Sequence, residues 1–169
     1  MLLNLFSLIF LSSSANAQNS CALQKQTNQE KHLALQEENL SDLFAQTKGC
    51  FTIVELWASW CGPCVQIAPE VDQFQKEHPE ILFLSISADA AKTKAIRFWA
   101  EHPSPSQKWR LESWTIEGLR LEYEQIGAKF PGKIPYFVVL NPEGKLLLEL
   151  TEPKDLKDLE QLLTIKKEN

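Results

Sequence analysis

The sequence predicts an α/β fold with one mixed β-sheet and helices on both of its faces. Two strand-then-helix units come first, over residues 51–77 and residues 81–101. Consecutive units of this kind form parallel strands through right-handed crossovers. Two short apolar runs at residues 136–140 and 145–150 follow, and Asn141-Pro142-Glu143-Gly144 between them is a tight-turn sequence. This turn makes the last two strands antiparallel, so the sheet contains both strand directions.

The helices are predicted from apolar residues three or four positions apart. They cover residues 39–46, 61–77, 90–101, 117–129 and 153–163. The apolar face of the first helix contains Leu40, Leu43 and Phe44, and that of the third contains Ala91, Ala95 and Trp99. The fourth helix has Leu119, Tyr123 and Ile126 on its apolar face, and the fifth has Leu156, Leu159 and Leu163. Gly49 follows the end of the first helix, Pro69 lies inside the second, and Pro103 and Pro105 end the third.

The strands are predicted from short apolar runs. They cover residues 51–57, 81–87, 136–140 and 145–150, with one further short strand at residues 32–36. Residues 107–115 show no clear periodicity and are assigned to no element.

Length and composition indicate one folded domain with extra segments. The chain has 169 residues, of which 44% are hydrophobic, and a net charge of −5. This mildly acidic balance, without a long run of like charge, gives no support to nucleic-acid binding. We predict a signal peptide at residues 1–17, a polar extension at residues 18–37 and a folded domain at residues 38–169.

The first segment has the features of a secretory signal peptide. It is apolar, carries no charged side chain and ends at Ala15-Asn16-Ala17, the small-x-small form of a cleavage site. Its apolar part, residues 2–11, is too short for a bilayer span, which needs about 20 residues. Because Lys and Arg are missing near its start, an uncleaved anchor is the alternative, and membrane contact is expected only then. Outside the cytosol disulfides persist, so dedicated proteins must make, break or rearrange them there.

The segment Trp57-Ala58-Ser59-Trp60-Cys61-Gly62-Pro63-Cys64 carries the chemistry that the sequence predicts. Its two cysteines, on the first turn of a helix that follows an apolar strand, can close a disulfide or stand open as a dithiol. The unpaired N–H groups and partial positive charge of a helix start favour the thiolate, which is the nucleophilic form. We predict that Cys61 is an exposed nucleophile and that Cys64, one turn deeper, is the resolving thiol.

Metal and haem sites are the alternatives for a Cys-x-x-Cys motif. A structural zinc site needs two further ligands, and His32, His78 and His102 form no pair at a suitable spacing. A haem attachment site would need histidine at position 65, where the chain has Val65. We therefore predict neither a metal nor a cofactor.

The residues around the cysteines resemble those of the thioredoxin family. Residues 54–69 contain an acidic residue, two tryptophans, the CGPC motif and Ile67-Ala68-Pro69, and Lys133-Ile134-Pro135-Tyr136 resembles the cis-proline segment of that family. The resemblance covers about residues 38–163. The long spacing between the two motifs, together with the leader, is closer to the exported TlpA/ResA branch. It implies the thioredoxin fold, with an N-terminal extension and a helical insertion before the cis-proline.

The resemblance also implies roles beyond the cysteines. A cis bond at Pro135 would turn the backbone of Ile134 towards the disulfide, where it could pair with an extended substrate. Substrate contacts are expected at Trp60, Gly62, Pro63 and Ile134. The implied partners are protein disulfides, among them apocytochrome c or a metallochaperone, and an upstream dithiol protein that supplies electrons. The implied compartment is the bacterial periplasm.

Glu55 and Tyr136 depart from the usual residues of the family. Glu55 lies on the apolar strand six residues before Cys61, so we expect a buried carboxyl with a raised pKa that takes the proton of Cys64. The alternative is a glutamate at the strand edge that faces solvent. Tyr136 stands where Thr is frequent and is expected to alter the substrate groove.

The remaining tryptophans and cysteines have structural interpretations. Trp57 and Trp60 are expected to frame the site, and Trp109 and Trp114 belong to the extra segment. For each of the four we expect packing in the core or a lid, with partner recognition as the alternative. We predict a structural Cys21–Cys50 disulfide that holds the N-terminal extension, because both thiols are otherwise left over in an exported chain. Cys50 precedes Cys61 by eleven residues, which is some 25–35 Å of extended chain at about 3.3 Å per residue. A second redox relay is the alternative.

Together these observations predict an exported thiol–disulfide oxidoreductase that reduces protein disulfides. Two other classes stay open: a copper chaperone-like metal-binding module and a redox-silent binding module on the same fold. The Cys-x-x-Cys spacing and the lack of histidine near Pro135 disfavour the first. The presence of both Cys61 and Cys64 disfavours the second.

Overall fold

The computed structural model describes Leu23, Leu33–Leu35 and residues 39–151. Within this part of the chain, the strands are β1 (Leu33–Leu35), β2 (Thr52–Trp57), β3 (Leu82–Ser87), β4 (Gln107–Leu111), β5 (Tyr136–Leu140) and β6 (Leu146–Leu150). The helices there are α1 (Leu40–Gln46), α2 (Gly62–Glu77), α3 (Lys92–Glu101) and α4 (Ile116–Glu124).

The strands form one mixed sheet in the order β1-β4-β3-β2-β5-β6. β2, β3, β4 and β1 run parallel, whereas β5 is antiparallel to β2 and β6 is antiparallel to β5. Glu55 on β2 lies opposite Ser85 on one side and Phe137 on the other. The predicted mixed sheet is confirmed, and β2, which leads into the cysteine motif, lies in its interior.

Helices cover both faces of this sheet. Because side chains alternate along a strand, Ile53 and Leu56 face opposite sides. Leu56 belongs to the apolar cluster that contains the buried faces of α1 and α4, and Ile53 packs with Val71 and other residues of α2. α3 lies on the α2 side, where the rings of Trp57 and Trp99 meet edge to face at 5.7 Å.

Residues 107–115, to which the sequence pattern assigned no element, contain the strand β4. It pairs in parallel with both β3 and β1, so the insertion before the cis-proline is helical only in part. Its first four residues are half-buried and only Leu111 is buried, so no apolar alternation marks it. Backbone pairing with two neighbours stabilises this strand, and a sequence pattern cannot show such pairing.

Turns set the ends of the later elements. α4 stops at Glu124, short of the predicted residue 129, because Gly127 adopts a φ of 80° and the N–H of Ala128 returns to the carbonyl of Tyr123 at 3.0 Å. The predicted hairpin turn between β5 and β6 is confirmed. The N–H of Gly144, whose φ is 78°, donates to the carbonyl of Asn141 at 2.8 Å.

Several predicted segments lie outside the described residues. These are the signal peptide at residues 1–17, most of the extension at residues 18–37 and the helix at residues 153–163. The proposed domain boundaries therefore stay predictions. In the part of the chain that is described, no helix has both the length and the apolar character needed to cross a membrane.

Candidate active site

The two cysteines of the CGPC motif lie at the N-terminus of α2, just beyond the end of β2. Their Sγ atoms form a disulfide, and their Cα atoms are 5.3 Å apart. Cys61 is the N-cap residue of α2, and its Sγ accepts a hydrogen bond from the backbone N–H of Cys64 at 3.2 Å. After reduction the same donor and the helix dipole would stabilise negative charge on Cys61. The geometry therefore favours a thiolate at Cys61.

Cys61 is less accessible than predicted. It is 5% exposed in this disulfide form, against 2% for Cys64, so the expectation of an openly exposed sulfur is wrong. The neighbours of Cys61 on the surface are exposed instead: Trp60 is 63% exposed, and Gly62 and Pro63 are open to solvent. A substrate would meet these residues before it reached the sulfur.

The Ile134–Pro135 peptide bond is cis, which confirms the predicted geometry. The carbonyl oxygen of Ile134 lies 3.6 Å from Sγ of Cys61, so this backbone runs beside the disulfide. Ile134 is half-buried and Pro135 is buried. A segment of backbone next to the reactive sulfur offers hydrogen-bonding groups to an extended chain. The substrate-binding role of both residues stays a prediction.

An apolar groove of about 410 Å³ lies next to the disulfide. Its lining includes Trp60, Cys61, Pro63, Trp114, Ile116 and Phe130. Trp114 is half-buried, and its indole N–H donates to the carbonyl of Ala88 at 3.0 Å, which holds the ring in place. Sequence analysis favoured packing for Trp114, with partner recognition as the alternative, and did not single out Ile116 or Phe130. These residues come from the insertion, and no local pattern places them beside Cys61.

Tyr136 does not itself line this groove but packs on Phe130, which does, so its effect on the groove stays a prediction. Its ring is fully buried against Tyr123 and Phe130, with centroids 5.0 and 5.2 Å away. Its hydroxyl donates to Oε2 of Glu149 at 2.6 Å. Burial and then this hydrogen bond raise the pKa of Tyr136. The side chain therefore links β5 to β6.

Glu55 is buried, as the sequence predicted. It is 7% exposed, and burial, followed by the charge of Asp72, raises its pKa to about 8. Glu55 and Cys64 both line one small cavity of about 20 Å³ between β2 and α2. A buried carboxyl beside the deeper thiol, with a pKa near neutrality, is suited to accept and return a proton.

Asp89 anchors the loop that leads into the cysteines, and sequence analysis did not identify it. It is 1% exposed. Its Oδ2 accepts the backbone N–H of Ser59 at 3.0 Å, and its Oδ1 accepts the Ser59 hydroxyl at 2.8 Å. The hydroxyl of Ser87 also donates to Oδ2 at 2.9 Å. The sequence did contain a signal for this contact. Ser59 follows β2 and Asp89 follows β3, and these adjacent parallel strands end at the same edge of the sheet.

The other tryptophans act mainly in packing. The indole N–H groups of Trp57 and Trp99 both donate to the hydroxyl of Ser85, at 2.7 and 3.4 Å. Trp57 is thus part of the core beneath the disulfide, and Trp60 is the exposed partner in the motif. Trp109 lies half-buried on β4.

Cys50 precedes β2, at the opposite end of this strand from Cys61. It is 2% exposed and disulfide-bonded. Cys21 lies outside the described residues, so the Cys21–Cys50 pairing stays a prediction. Among the residues that the structure describes, no group of three or more His, Cys, Asp or Glu side chains could hold a metal ion.

Comparison with known proteins supports this site. Residues 31–102 match the model of the thioredoxin family. This match covers less than half of the chain and shows its likeness to the thioredoxin family over that stretch. It is similar to thioredoxin C-3 of Corynebacterium nephridii, with 36% identity over 58 residues, which are 34% of this chain and 39% of that protein. The match thus spans well under two thirds of the length of that relative.

Solved structures show the same fold over more of the chain. A Chlorobium tepidum protein assigned as the thiol:disulfide interchange protein DsbE has a TM-score of 0.59 at 25% identity, covering 72% of this chain and 82% of that chain. The thioredoxin domain of a thiol-disulfide oxidoreductase from Bacteroides vulgatus has a TM-score of 0.57 at 17% identity, covering 70% and 82%. This chain has the thioredoxin-like fold of such proteins, in agreement with the TlpA/ResA resemblance.

Proposed function

We propose that the protein is an exported thiol–disulfide oxidoreductase that reduces disulfides in other proteins. The observation that carries this proposal is the Cys61–Cys64 disulfide at the start of α2, with an N–H donor on Cys61 and a buried carboxyl near Cys64. The three groups correspond to a stabilised nucleophile, a resolving thiol and a base. Such a set supports two successive thiol–disulfide exchanges.

In the proposed reaction, the Cys61 thiolate attacks one sulfur of a substrate disulfide. That bond breaks, one substrate thiolate leaves, and a mixed disulfide joins Cys61 to the substrate. Cys64 gives its proton to Glu55 and attacks Sγ of Cys61, which releases the second substrate thiol. The protein is left with an oxidised Cys61–Cys64 disulfide, which an upstream dithiol protein reduces again by supplying two electrons.

The groove supports a substrate with an extended apolar segment next to its cysteine. Trp60 and Pro63 on one side, and Trp114 on the other, offer apolar contact area beside Cys61. The carbonyl oxygen of Ile134, 3.6 Å from Sγ of Cys61, offers an acceptor for a hydrogen bond from the substrate. In this proposal, Trp60, Gly62, Pro63 and Ile134 meet the substrate, and Pro135 presents Ile134 to it. Apocytochrome c and metallochaperones are the substrate candidates that the family resemblance suggests.

The leader at residues 1–17 supports export, and a bacterial periplasm is the proposed compartment. The DsbE assignment of the Chlorobium tepidum structure agrees with a role in thiol–disulfide interchange. The reducing direction is supported by the Gly62-Pro63 pair, which adds no cation beside Cys61. A reducing protein would serve substrates whose cysteines must be free, as in cytochrome c maturation.

Single-cysteine variants test the proposal. We expect Cys64→Ser to accumulate mixed disulfides with substrates in the native compartment, and Cys61→Ser to accumulate none and to lose reduction of insulin disulfides. The double variant is the matched control, because it keeps the fold but has no active-site thiol. Faster alkylation of Cys64 than of Cys61 in the reduced protein would contradict these roles. A wild-type protein that does not reduce protein disulfides would contradict the function.

A further inference from the structure

The small cavity next to Cys64 extends towards a second pair of ionisable side chains. Its lining includes Glu55, Cys64, Asp72, Gln75 and His102. At about 20 Å³ it has room for about one water molecule, which needs roughly 10–15 Å³ and two or more polar partners. Oε1 of Gln75 is buried there and has no hydrogen-bond partner among the described residues. The cavity is therefore a polar space between the buried carboxyl and α2.

Asp72 and His102 lie at the outer end of this space. Oδ2 of Asp72 is 3.6 Å from Nδ1 of His102, and their side chains are 16% and 24% exposed. The imidazole stacks on Phe98 with ring centroids 4.4 Å apart, which holds it beside the cavity. Both side chains thus line the cavity and also reach solvent, whereas Glu55 is only 7% exposed.

Charged groups from four elements surround Asp72. Glu55 faces it from β2, Lys76 lies on its own helix α2, His102 follows the end of α3, and Lys108 lies on β4. β3 contributes the neutral hydroxyl of Ser85 to the cavity. Burial raises the pKa of Asp72, and the positive groups around it oppose that rise. Asp72 therefore holds a proton at a higher pH than a fully solvated aspartate does.

We propose that Asp72 and His102 form the exit by which the proton of Cys64, once on Glu55, reaches solvent through a water in the cavity. The inference rests on the proposed function, since it needs Cys64 to act as the resolving thiol. Neither side chain touches the reacting sulfur atoms, so both are positioning residues for the proton. The rest of the lining consists of apolar side chains, the amide of Gln75 and the neutral hydroxyls of Ser85 and Ser104. Among the described residues that line the cavity, Asp72 and His102 are therefore the ionisable groups besides Glu55 and Cys64.

The proton and electron balance of the step is complete. Cys64 loses a proton to the Glu55 carboxylate and attacks Sγ of Cys61. The Cys64–Cys61 bond forms, and the bond between Cys61 and the substrate breaks with its electron pair on the substrate sulfur. Glu55 then passes its proton through water to Asp72 or His102, which releases it to bulk solvent. Glu55 is thereby ionised again.

The test follows the resolution step in a single turnover. Reduced full-length protein is mixed with oxidised glutathione, and the Cys61–glutathione mixed disulfide is quenched with acid and measured by mass spectrometry. Wild type, Asp72→Asn, His102→Gln and Glu70→Gln are compared in H₂O and D₂O, over pH values that bracket the pKa of Glu55. Glu70→Gln is the matched control, because it removes an exposed carboxylate from the same helix. Carbon-13 NMR of the Glu55 carboxyl reports its pKa and the integrity of the fold.

We expect Asp72→Asn to slow resolution by about tenfold and to enlarge the solvent isotope effect. This loss is smaller than the ~10²-fold or more that removal of the base itself produces. The same substitution should lower the pKa of Glu55, because the charge of Asp72 raises it. A purely electrostatic role therefore has the opposite sign: with more Glu55 ionised, resolution would be unchanged or faster below the pKa of Glu55.

The other outcomes are also decisive. His102→Gln should slow resolution and leave formation of the mixed disulfide unchanged, and it provides the test if Asp72→Asn does not fold. Asp72→Asn and His102→Gln rates equal to that of Glu70→Gln would overturn the proposed exit. Failure of wild type to reduce protein disulfides, with normal resolution of the glutathione adduct, would overturn only the proposed function. A wild type in which oxidised glutathione leaves both Cys61 and Cys64 reduced would overturn both.

Discussion

At Glu55, the burial that raises the pKa of the carboxyl for proton transfer also lowers the stability of the folded protein. Burial in the folded state raises its pKa from 4.5 to about 8. Below the lower value the carboxyl is protonated in both the folded and unfolded states, so it costs no stability. As the pH rises through this window the unfolded state loses the proton first, and the penalty for folding grows until it is complete above about pH 8. In the proposed mechanism, this carboxyl is the base that takes the proton of Cys64.

We expect Glu55→Gln to stabilise the oxidised protein by an amount that grows with pH. Glutamine keeps the shape of a protonated carboxyl but cannot ionise, so the gain is absent below the unfolded-state pKa. It should reach its full size near pH 8, on the order of 5 kcal/mol at most, from about 1.4 kcal/mol for each pKa unit. Urea unfolding at a series of pH values measures it, with Glu70→Gln as the exposed control. A stability difference that does not vary with pH would contradict the raised pKa.

The segment between β2 and α2 is the element whose placement matters most for reactivity. It carries Trp60 and Cys61, and its conformation is held by the two hydrogen bonds from Ser59 to Asp89. Asp89 itself follows β3, so the reactive segment is tied to a neighbouring strand as well as to its own helix. Hydrogen bonds to a buried carboxylate are stronger than neutral ones.

We expect Asp89→Asn to destabilise the protein and loosen this segment. An amide has one acceptor oxygen, so the N–H and hydroxyl of Ser59 and the hydroxyl of Ser87 can no longer all donate to it. The loss should be about 1–3 kcal/mol, the cost of leaving a buried polar group unsatisfied. Urea unfolding gives this loss, and hydrogen exchange at the Ser59 amide should become faster. Asp42→Asn on the exposed face of α1 should change neither measurement.

At the scale of the whole molecule, the charges around the disulfide decide the direction of electron flow. Gly62 and Pro63 add no cation beside Cys61, and no histidine lies between the cysteines. Glu55, when ionised, would disfavour a further negative charge nearby. Without a cation, the Cys61 thiolate is stabilised less than that of a strong oxidant such as DsbA. The reduced form is then less favoured, which makes the dithiol more reducing.

We therefore expect a redox potential below roughly −200 mV, on the side of thioredoxin at about −270 mV and not of DsbA at about −120 mV. Equilibration with a series of reduced and oxidised glutathione ratios measures it, and Cys64→Ser is the control that cannot form the disulfide. A potential close to that of DsbA would show that the protein donates disulfides. The exchange chemistry would then be the same, but its direction would be reversed.

A second cysteine pair is expected to connect the N-terminal extension to the sheet. Cys50 is buried and disulfide-bonded next to β2. We expect peptide mapping of the non-reduced protein to recover a Cys21–Cys50 peptide, and Cys21→Ser to lower stability by roughly 3–4 kcal/mol in the chain-entropy model. Recovery of a Cys50–Cys61 peptide instead would support the relay alternative. Val65→Ser, at an exposed site, is the control for a polar substitution.

Local patterns were sufficient for much of the fold and for the centre of the site. The CGPC motif between an apolar run and a helical pattern identified the redox pair, and its confirmation as a disulfide needed no distant contact. Burial of Glu55 followed from its apolar neighbours on β2. The hairpin turn followed from proline and glycine in Asn141-Pro142-Glu143-Gly144. In each case the residues that decide the outcome are adjacent in the chain.

Tertiary structure decided what depends on residues far apart in the chain. β4 exists because β1 and β3 supply its backbone partners, and the groove forms because the insertion brings Trp114 beside Cys61. Asp72 had a weak signal, since Cys64, Ala68 and Asp72 recur every four residues on the inward side of α2. Nothing in the sequence places His102 next to that stripe, because its position follows from how α3 crosses the sheet. Burial and charge at such sites are sums over several elements, and only the packed chain brings those elements together.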